Sequence, residues 1–367
     1  MNSRERVARA ISHQEVDRLP VDFGGTVVTC IDKDAHAALC AHLGIRSDVP
    51  IIDYSMGTVE PDERIMKLFG SDVRRVSMNM IPPDIVNNSY TDGFGIELKK
   101  AGKHNYYDII RNPLAHIDIE NLSEIKMPDP DNPRLYEGIE DKARSLRENS
   151  GYAIFADYGV PGFFETAQKL RGYENFACDL LTDQNFVHAL YSRLLELQKR
   201  FFRNYLGKVG KYAQVIGYAD DLGMQDRPQI SPELYRLMIK PYHKEIFRFI
   251  HEQADIKIML HCCGAIFPLI EDLIDAGVDI LNPVQPLANG MDLKLLKEKF
   301  GKRIVFWGGI DEQKLLPHGS GKEIIARVKE IKGIMGNEGG YVAAVSHNIQ
   351  TDTPVENITA LFTALGE

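Results

Sequence analysis

His261 and Cys263 stand two apart in Met259-Leu260-His261-Cys262-Cys263-Gly264, at the end of a short apolar run. Side chains alternate along a strand, so His261 and Cys263 share one face and Cys262 takes the other. An imidazole and a thiolate on one face can share a zinc ion, although two donors leave the zinc shell incomplete. A third donor follows another apolar run, in Val345-Ser346-His347-Asn348-Ile349-Gln350. The expected zinc ligands are therefore His261, Cys263 and His347, with a carboxylate or water completing the shell. Without metal, Cys263 reads as a small buried apolar residue and His261 as a hydrogen-bonded core group.

Asp220 and Asp221 end a third apolar run, Gly217-Tyr218-Ala219-Asp220-Asp221. Adjacent carboxylates there can take a proton, orient a substrate or complete a metal shell, so both are candidate catalytic residues. The plainer alternative is that one caps a helix while the other is solvated. The expected substrate-binding groups are Tyr218, Asn282, Gln285, Gly308, Gly309 and Gln350. The paired glycines either let backbone approach a ligand or make a tight turn. Asp22 and Asp157 are weaker candidates, while Phe155, Tyr158, Phe163 and Phe164 read as core or pocket wall.

Eight apolar or β-rich runs must position these groups: Leu19–Phe23, Val73–Met78, Ala153–Tyr158, Gln214–Ala219, Ile256–Leu260, Ile280–Val284, Ile304–Trp307 and Tyr341–Val345. The later runs start at 256, 280, 304 and 341, with helical spacing between them, as in Ile324, Ile325, Val328, Ile331 and Ile334. That strand–helix rhythm predicts a parallel sheet, and eight strands in it predict an α/β fold of the (β/α)₈ type, a TIM barrel. Catalytic groups of that architecture sit at the C-terminal strand ends, where every candidate above falls. A doubly wound sheet is the competing fold, but no G-x-G-x-x-G follows a strand. Ser231-Pro232-Glu233 and the capping box Thr353-Pro354-Val355-Glu356 mark helix starts, and Gly277 marks a helix stop. Residues 80–150 are rich in Pro, Asn and Asp. A hairpin of Gly95–Leu98 and Tyr106–Ile110 around Ala101-Gly102-Lys103 is expected there. We read this stretch as an elaboration of one barrel domain spanning 1–367.

Composition excludes several classes. The 367 residues are 44% hydrophobic and 26% charged, and 43 Lys+Arg against 52 Asp+Glu give −9. An acidic chain without a basic run does not track nucleic-acid phosphates or an anionic membrane surface. No run approaches the roughly 20 apolar residues of a membrane span. The opening MNSRERVA lacks the apolar core of a secretory signal, and five cysteines show no disulfide spacing, with Cys30, Cys40 and Cys178 isolated. A cytoplasmic protein with reduced thiols is expected.

At these motifs the sequence resembles the uroporphyrinogen decarboxylase-like superfamily, and within it the cobalamin-dependent methyltransferases of the coenzyme M methyltransferase type. The resemblance runs through Ser3-Arg4-Glu5-Arg6-Val7, Asp17-Arg18-Leu19-Pro20, Asp220 to Gln225, Ser231-Pro232-Glu233 and His261 to Asn357. It implies a (β/α)₈ barrel with zinc held by His-x-Cys on one strand and a Cys on the last strand, before T-P-x-E-N. His261 and Cys263 match the first pair, and counting back from Thr353-Pro354-Val355-Glu356-Asn357 puts His347 where the last Cys stands.

The resemblance implies a zinc-dependent transfer of methyl to or from a corrinoid. The other substrate is a methoxylated or methylamine donor, or a thiol or folate acceptor. Because this chain has no D-x-H-x-x-G motif, the corrinoid belongs to a partner protein docking at the barrel mouth. A homodimer is compatible with it. A second imidazole in place of a thiolate favours Lewis-acid chemistry over thiol activation. A uroporphyrinogen decarboxylase-like lyase is the first alternative. Its arginine-bearing R-x-x-G-R-Y segment is here the acidic and apolar Val21-Asp22-Phe23-Gly24-Gly25-Thr26, which disfavours a polyanionic substrate. A barrel that binds a small ligand without catalysis is the second.

Overall fold

A computed structural model describes residues 1–100, 102, 105–336 and 338–367. Among the described residues, seven parallel strands form one curled sheet: β1 Val73–Ser77, β2 Ala153–Asp157, β3 Val215–Ala219, β4 Lys257–His261, β5 Ile280–Asn282, β6 Val305–Trp307 and β7 Tyr341–Val342. Each pairs in parallel with its neighbours in chain order.

The run Leu19–Phe23 occupies the eighth position. Val21 bridges Ala343 beyond β7, and its carbonyl accepts from Asp72 N before β1, at 2.8 Å. It forms a bridge and not a full strand for a local reason. Pro20 has no N–H to donate, and the Val21 and Phe23 amides go to the Asp72 carboxylate and the Ser71 hydroxyl. The result is the TIM-barrel-like α/β fold.

Alternation sorts the side chains. Val73, Phe155, Val215, Met259, Ile280, Val305, Trp307 and Val342 point inward and form one apolar cluster with Val7 and Ile11. These last two come from the helix Ser3–Ile11, which starts on an Asn2–Glu5 capping box and closes the N-terminal end of the barrel. Its backbone bonds to residues just before two strands, Arg4 N to Gly151 O and Gly340 N to Ala10 O. Arg6 and Arg18 both pair with the buried Asp72 carboxylate, which ties this region to β1. The outward faces pack on the surrounding helices in a second, larger core.

Two small antiparallel sheets sit on this frame. Ser89–Thr91, Glu97–Lys100 and Tyr107–Arg111 form one, so the expected hairpin gains a third strand, while its turn residues Ala101 and Lys103 lie outside the described residues. The other, Ile31–Asp32 with Ile51–Asp53 and Thr58–Val59, is not anticipated from sequence. It lies at the mouth, because Ile31 bridges Ile349 beyond β7. Ser231 caps its helix as expected, with Leu234 N donating at 3.1 Å, and Gly277 ends its helix in the left-handed region. The Thr353 capping box does not form. Among the described residues the helix Val355–Gly366 has no side-chain cap and the buried Thr353 hydroxyl has no partner. No helix among the described residues is long and apolar enough to cross a membrane.

Candidate metal centre

The parallel register aligns Ala219, His261 and Asn282 across β3, β4 and β5. Asn282 is fully buried, and its Nδ2 donates to the Trp307 carbonyl at 3.0 Å. With its amino group committed, its Oδ1 must accept, and it accepts from His261 Nδ1 at 2.6 Å. That bond puts the imidazole proton on Nδ1 and leaves Nε2 with a free lone pair. Cys263 Sγ lies 3.4 Å from this Nε2.

The turn that brings the thiol back is built from tight backbone contacts. Cys262 points to the other face, where its buried Sγ accepts from Leu222 N at 3.3 Å. Gly264 has φ +89°, and a Cβ there would sit 2.5 Å from the Met224 carbonyl oxygen, so only glycine fits. Beyond β3, Asp221 Oδ1 accepts from Cys263 N at 2.8 Å, which leaves Oδ2 for another partner. Ligand atoms of Asp221, His261 and Cys263 all lie within 4.8 Å of one another.

The surroundings are acidic. Burial pushes the Cys263 thiol well up, and the Asp221, Glu312 and Glu165 charges push it further, so without a cation the sulfur stays protonated. Burial also raises the Glu165 carboxyl, opposed by Lys169 at 2.6 Å and aided by Asp221. The Glu312 carboxyl is pushed up to about 7, chiefly by burial. His347 stands beside His261, with ring centroids 5.7 Å apart, and burial above all lowers it to about 4. Its imidazole is therefore neutral at pH 7. One thiol, one imidazole with its lone pair presented and one carboxylate, in acidic surroundings, fit zinc and do not fit the all-oxygen shells of magnesium or calcium.

Several expectations need correction. Asp221 takes the third place in this cluster and His347 is outside it, beside His261. Asp220 is not at the site. It is fully buried and its oxygens accept from Phe164 N, Glu165 N and His243 Nε2, at 3.1, 2.8 and 2.9 Å. Strand parity explains this: Gly217, Ala219 and Asp221 face inward, while Tyr218 and Asp220 face the helices. Tyr218 accordingly bonds Gln198 in the outer core and lines no ligand space.

Asn282 orients His261 and is not open to substrate, and the largely buried Gln285 accepts from Gly264 N and holds the turn. Gly308 and Gly309 make a tight turn, with φ +111° and +97°, against Pro283, Leu293 and Tyr341. Gln350 lies half-buried near the mouth, donating to Asn348 O at 3.0 Å. Asp22 holds Trp307 Nε1 at 2.9 Å inside the barrel, and Asp157 pairs with Arg75. Sequence reasoning missed Glu165, Glu312 and Arg75.

A cavity of about 950 Å³ opens over the ends of β1 and β2, lined by Arg75 and Asp157. A second, of about 660 Å³, reaches Lys169, the partner of Glu165. The two share Asp53, Met80, Ile81, Gly93 and Gly159, so open space runs from Arg75 to Lys169.

The uroporphyrinogen decarboxylase (URO-D) family model matches residues 75–367. A uroporphyrinogen decarboxylase of Coxiella burnetii is 22% identical over 98% of this chain and 94% of its own length. One from Prochlorococcus marinus is 24% identical over 70% of this chain and 72% of its own. A methyltransferase from Methanosarcina mazei superposes with a TM-score of 0.68 at 21% identity, covering 100% of this chain and 98% of that one. The matched segment runs from the middle of β1 through β7 and includes all three members of the metal cluster, and on it the chain belongs to the uroporphyrinogen decarboxylase (URO-D) family.

Proposed function

We propose that this enzyme of the URO-D family is a zinc-dependent methyltransferase that exchanges a methyl group with a corrinoid carried by a partner protein. The observation that carries the reading is the cluster of Asp221, His261 and Cys263, with Asn282 fixing the imidazole tautomer that a metal requires. Bound there, zinc supplies a Lewis acid that weakens the bond between a methyl group and the oxygen or nitrogen bearing it. His261 Nε2, Cys263 Sγ and Asp221 Oδ2 would hold it, and His347 stands beside His261 as a neutral hydrogen-bonding group.

The chain's own groups cover the proton balance. Demethylation leaves an electron pair on the donor's oxygen or nitrogen, and that atom needs a proton as the methyl moves to the partner's cobalt. Glu312, with its carboxyl pushed up to about 7, carries an exchangeable proton, and its charge acts on the Cys263 thiol. A single thiolate among the donors favours demethylation of a methoxylated or methylamine donor over activation of a thiol acceptor.

The names of the Coxiella and Prochlorococcus relatives favour a decarboxylase as the second reading. Two features weigh against it. Val21–Thr26 offers no arginine to a polyanion, and its Asp22 is committed to Trp307. A carboxylate beside His261 also counts against a barrel that only binds a ligand. The test is optical: zinc-loaded protein is mixed with cob(I)alamin and methoxylated or methylamine donors, or with methylcobalamin and thiol or folate acceptors. A change in the cobalt bands supports methyl transfer. No change with any pair, with carbon dioxide released from a carboxylated substrate, would assign the chain to the lyases.

A further inference from the structure

Arg75 points inward from the middle of β1, is 7% exposed and lines the 950 Å³ cavity. A guanidinium carries five N–H donors. Those of Arg75 make two long contacts, Nη1 to Asp157 Oδ2 at 3.2 Å and Nη2 to Glu60 Oε2 at 3.5 Å, and Nε has no partner among the described residues. Burying donors without acceptors is costly, so a group this poorly satisfied on a cavity wall calls for an acceptor from the cavity.

The charge balance decides what kind of acceptor. Asp157 and Glu60 already place two carboxylates on one guanidinium, and Asp53 lines the same cavity. An added carboxylate would meet net negative charge, and an ammonium ion would bring no acceptor and face the guanidinium. Much of the remaining wall is apolar, including Val27, Met78, Tyr158 and Phe201. We propose that Arg75 is the substrate-anchoring donor of this cavity, selecting an uncharged organic molecule through an ether, carbonyl or hydroxyl oxygen. This deepens the methyl-transfer reading by favouring a neutral methoxylated donor over a methylammonium ion, and it rests on that reading only for the reaction that follows binding.

Three probes share a methoxyphenyl ring and differ in charge: 4-methoxybenzyl alcohol, 4-methoxybenzoate and 4-methoxybenzylamine. Their affinities are measured by calorimetry at pH 7 on the whole protein, as wild type, Arg75→Met and Arg75→Lys, with thermal unfolding as the check on folding. Wild type binds the alcohol at least about tenfold more tightly than either ion, as one hydrogen bond to a charged donor allows. Arg75→Met weakens the alcohol by about tenfold or more and makes the amine the best ligand, because Asp157 and Glu60 then lose their guanidinium partner. Arg75→Lys keeps the charge without the planar fork and falls between the two; it decides the matter if the Met variant does not fold.

A purely structural Arg75 would leave the order of the three probes unchanged. That outcome, tightest binding by the benzoate, or no binding of any probe overturns the proposal. Binding needs no cobalt, so Arg75-dependent binding of the alcohol without any change in the cobalt bands would sink the methyl-transfer reading alone.

Discussion

His261 Nδ1 donates to Asn282 Oδ1 at 2.6 Å, and this one bond determines which imidazole nitrogen faces Cys263. Partners of this kind contribute about 10–100-fold to metal affinity. Asn282→Ala is expected to weaken zinc binding by that factor, read by competition with a chromogenic chelator. Asn282→Asp, which keeps an acceptor, retains most of the affinity. Equal affinities for wild type and Asn282→Ala would show that the bond does not set the tautomer.

Asp220 and Asp221 are neighbours in sequence with separate jobs. Asp220→Asn is expected to cost about 1–3 kcal/mol of stability by weakening hydrogen bonds to a buried charged group. Zinc stoichiometry should not change. Asp221→Asn should do the reverse, losing zinc with little change in the unfolding midpoint. Chemical denaturation and metal analysis on the same preparations separate the two.

His347 and Asp221 compete for the third place at the metal. The cluster geometry assigns it to Asp221, so His347→Ala keeps one zinc per chain and loses turnover. Loss of zinc from His347→Ala to the same extent as from Cys263→Ser would transfer the assignment to His347.

Most of the barrel was legible because burial and strand period are local. All eight apolar runs occupy barrel positions, and even the irregular first one failed to become a full strand for reasons visible beside it, Pro20 and the side chains of Ser71 and Asp72. His261 and Cys263 were readable from alternation alone. The choice between Asp220 and Asp221 was not, since it depends on how far the strand parity of β3 persists past Ala219. The polarity of Asn282 is legible, but its role depends on cross-strand register, which no short segment encodes. Glu312 comes from the turn after β6 and Glu165 from the first turn of the helix Phe163–Arg171, and neither placement is encoded in a strand pattern. For Arg75 the sequence carries a signal: two adjacent arginines inside a strand require one of them to face the barrel interior.

The Glu312 carboxyl, pushed up to about 7 chiefly by burial, holds its proton below that pH and loses it above. If it protonates the leaving atom, kcat/KM falls as pH rises through about 7 in the wild type. Glu312→Gln should lower the rate and flatten that limb of the profile. A falling limb that persists unchanged in Glu312→Gln would assign the proton to another group.

Zinc K-edge X-ray absorption on purified protein without a histidine tag tests the metal centre most directly. The account predicts one zinc per chain with one sulfur neighbour at about 2.3 Å and nitrogen or oxygen neighbours at about 2.0–2.2 Å. The sulfur shell should vanish in Cys263→Ser. Protein that takes up no stoichiometric zinc, or a metal whose shell is the same in wild type and Cys263→Ser, would contradict the centre built on Asp221, His261 and Cys263.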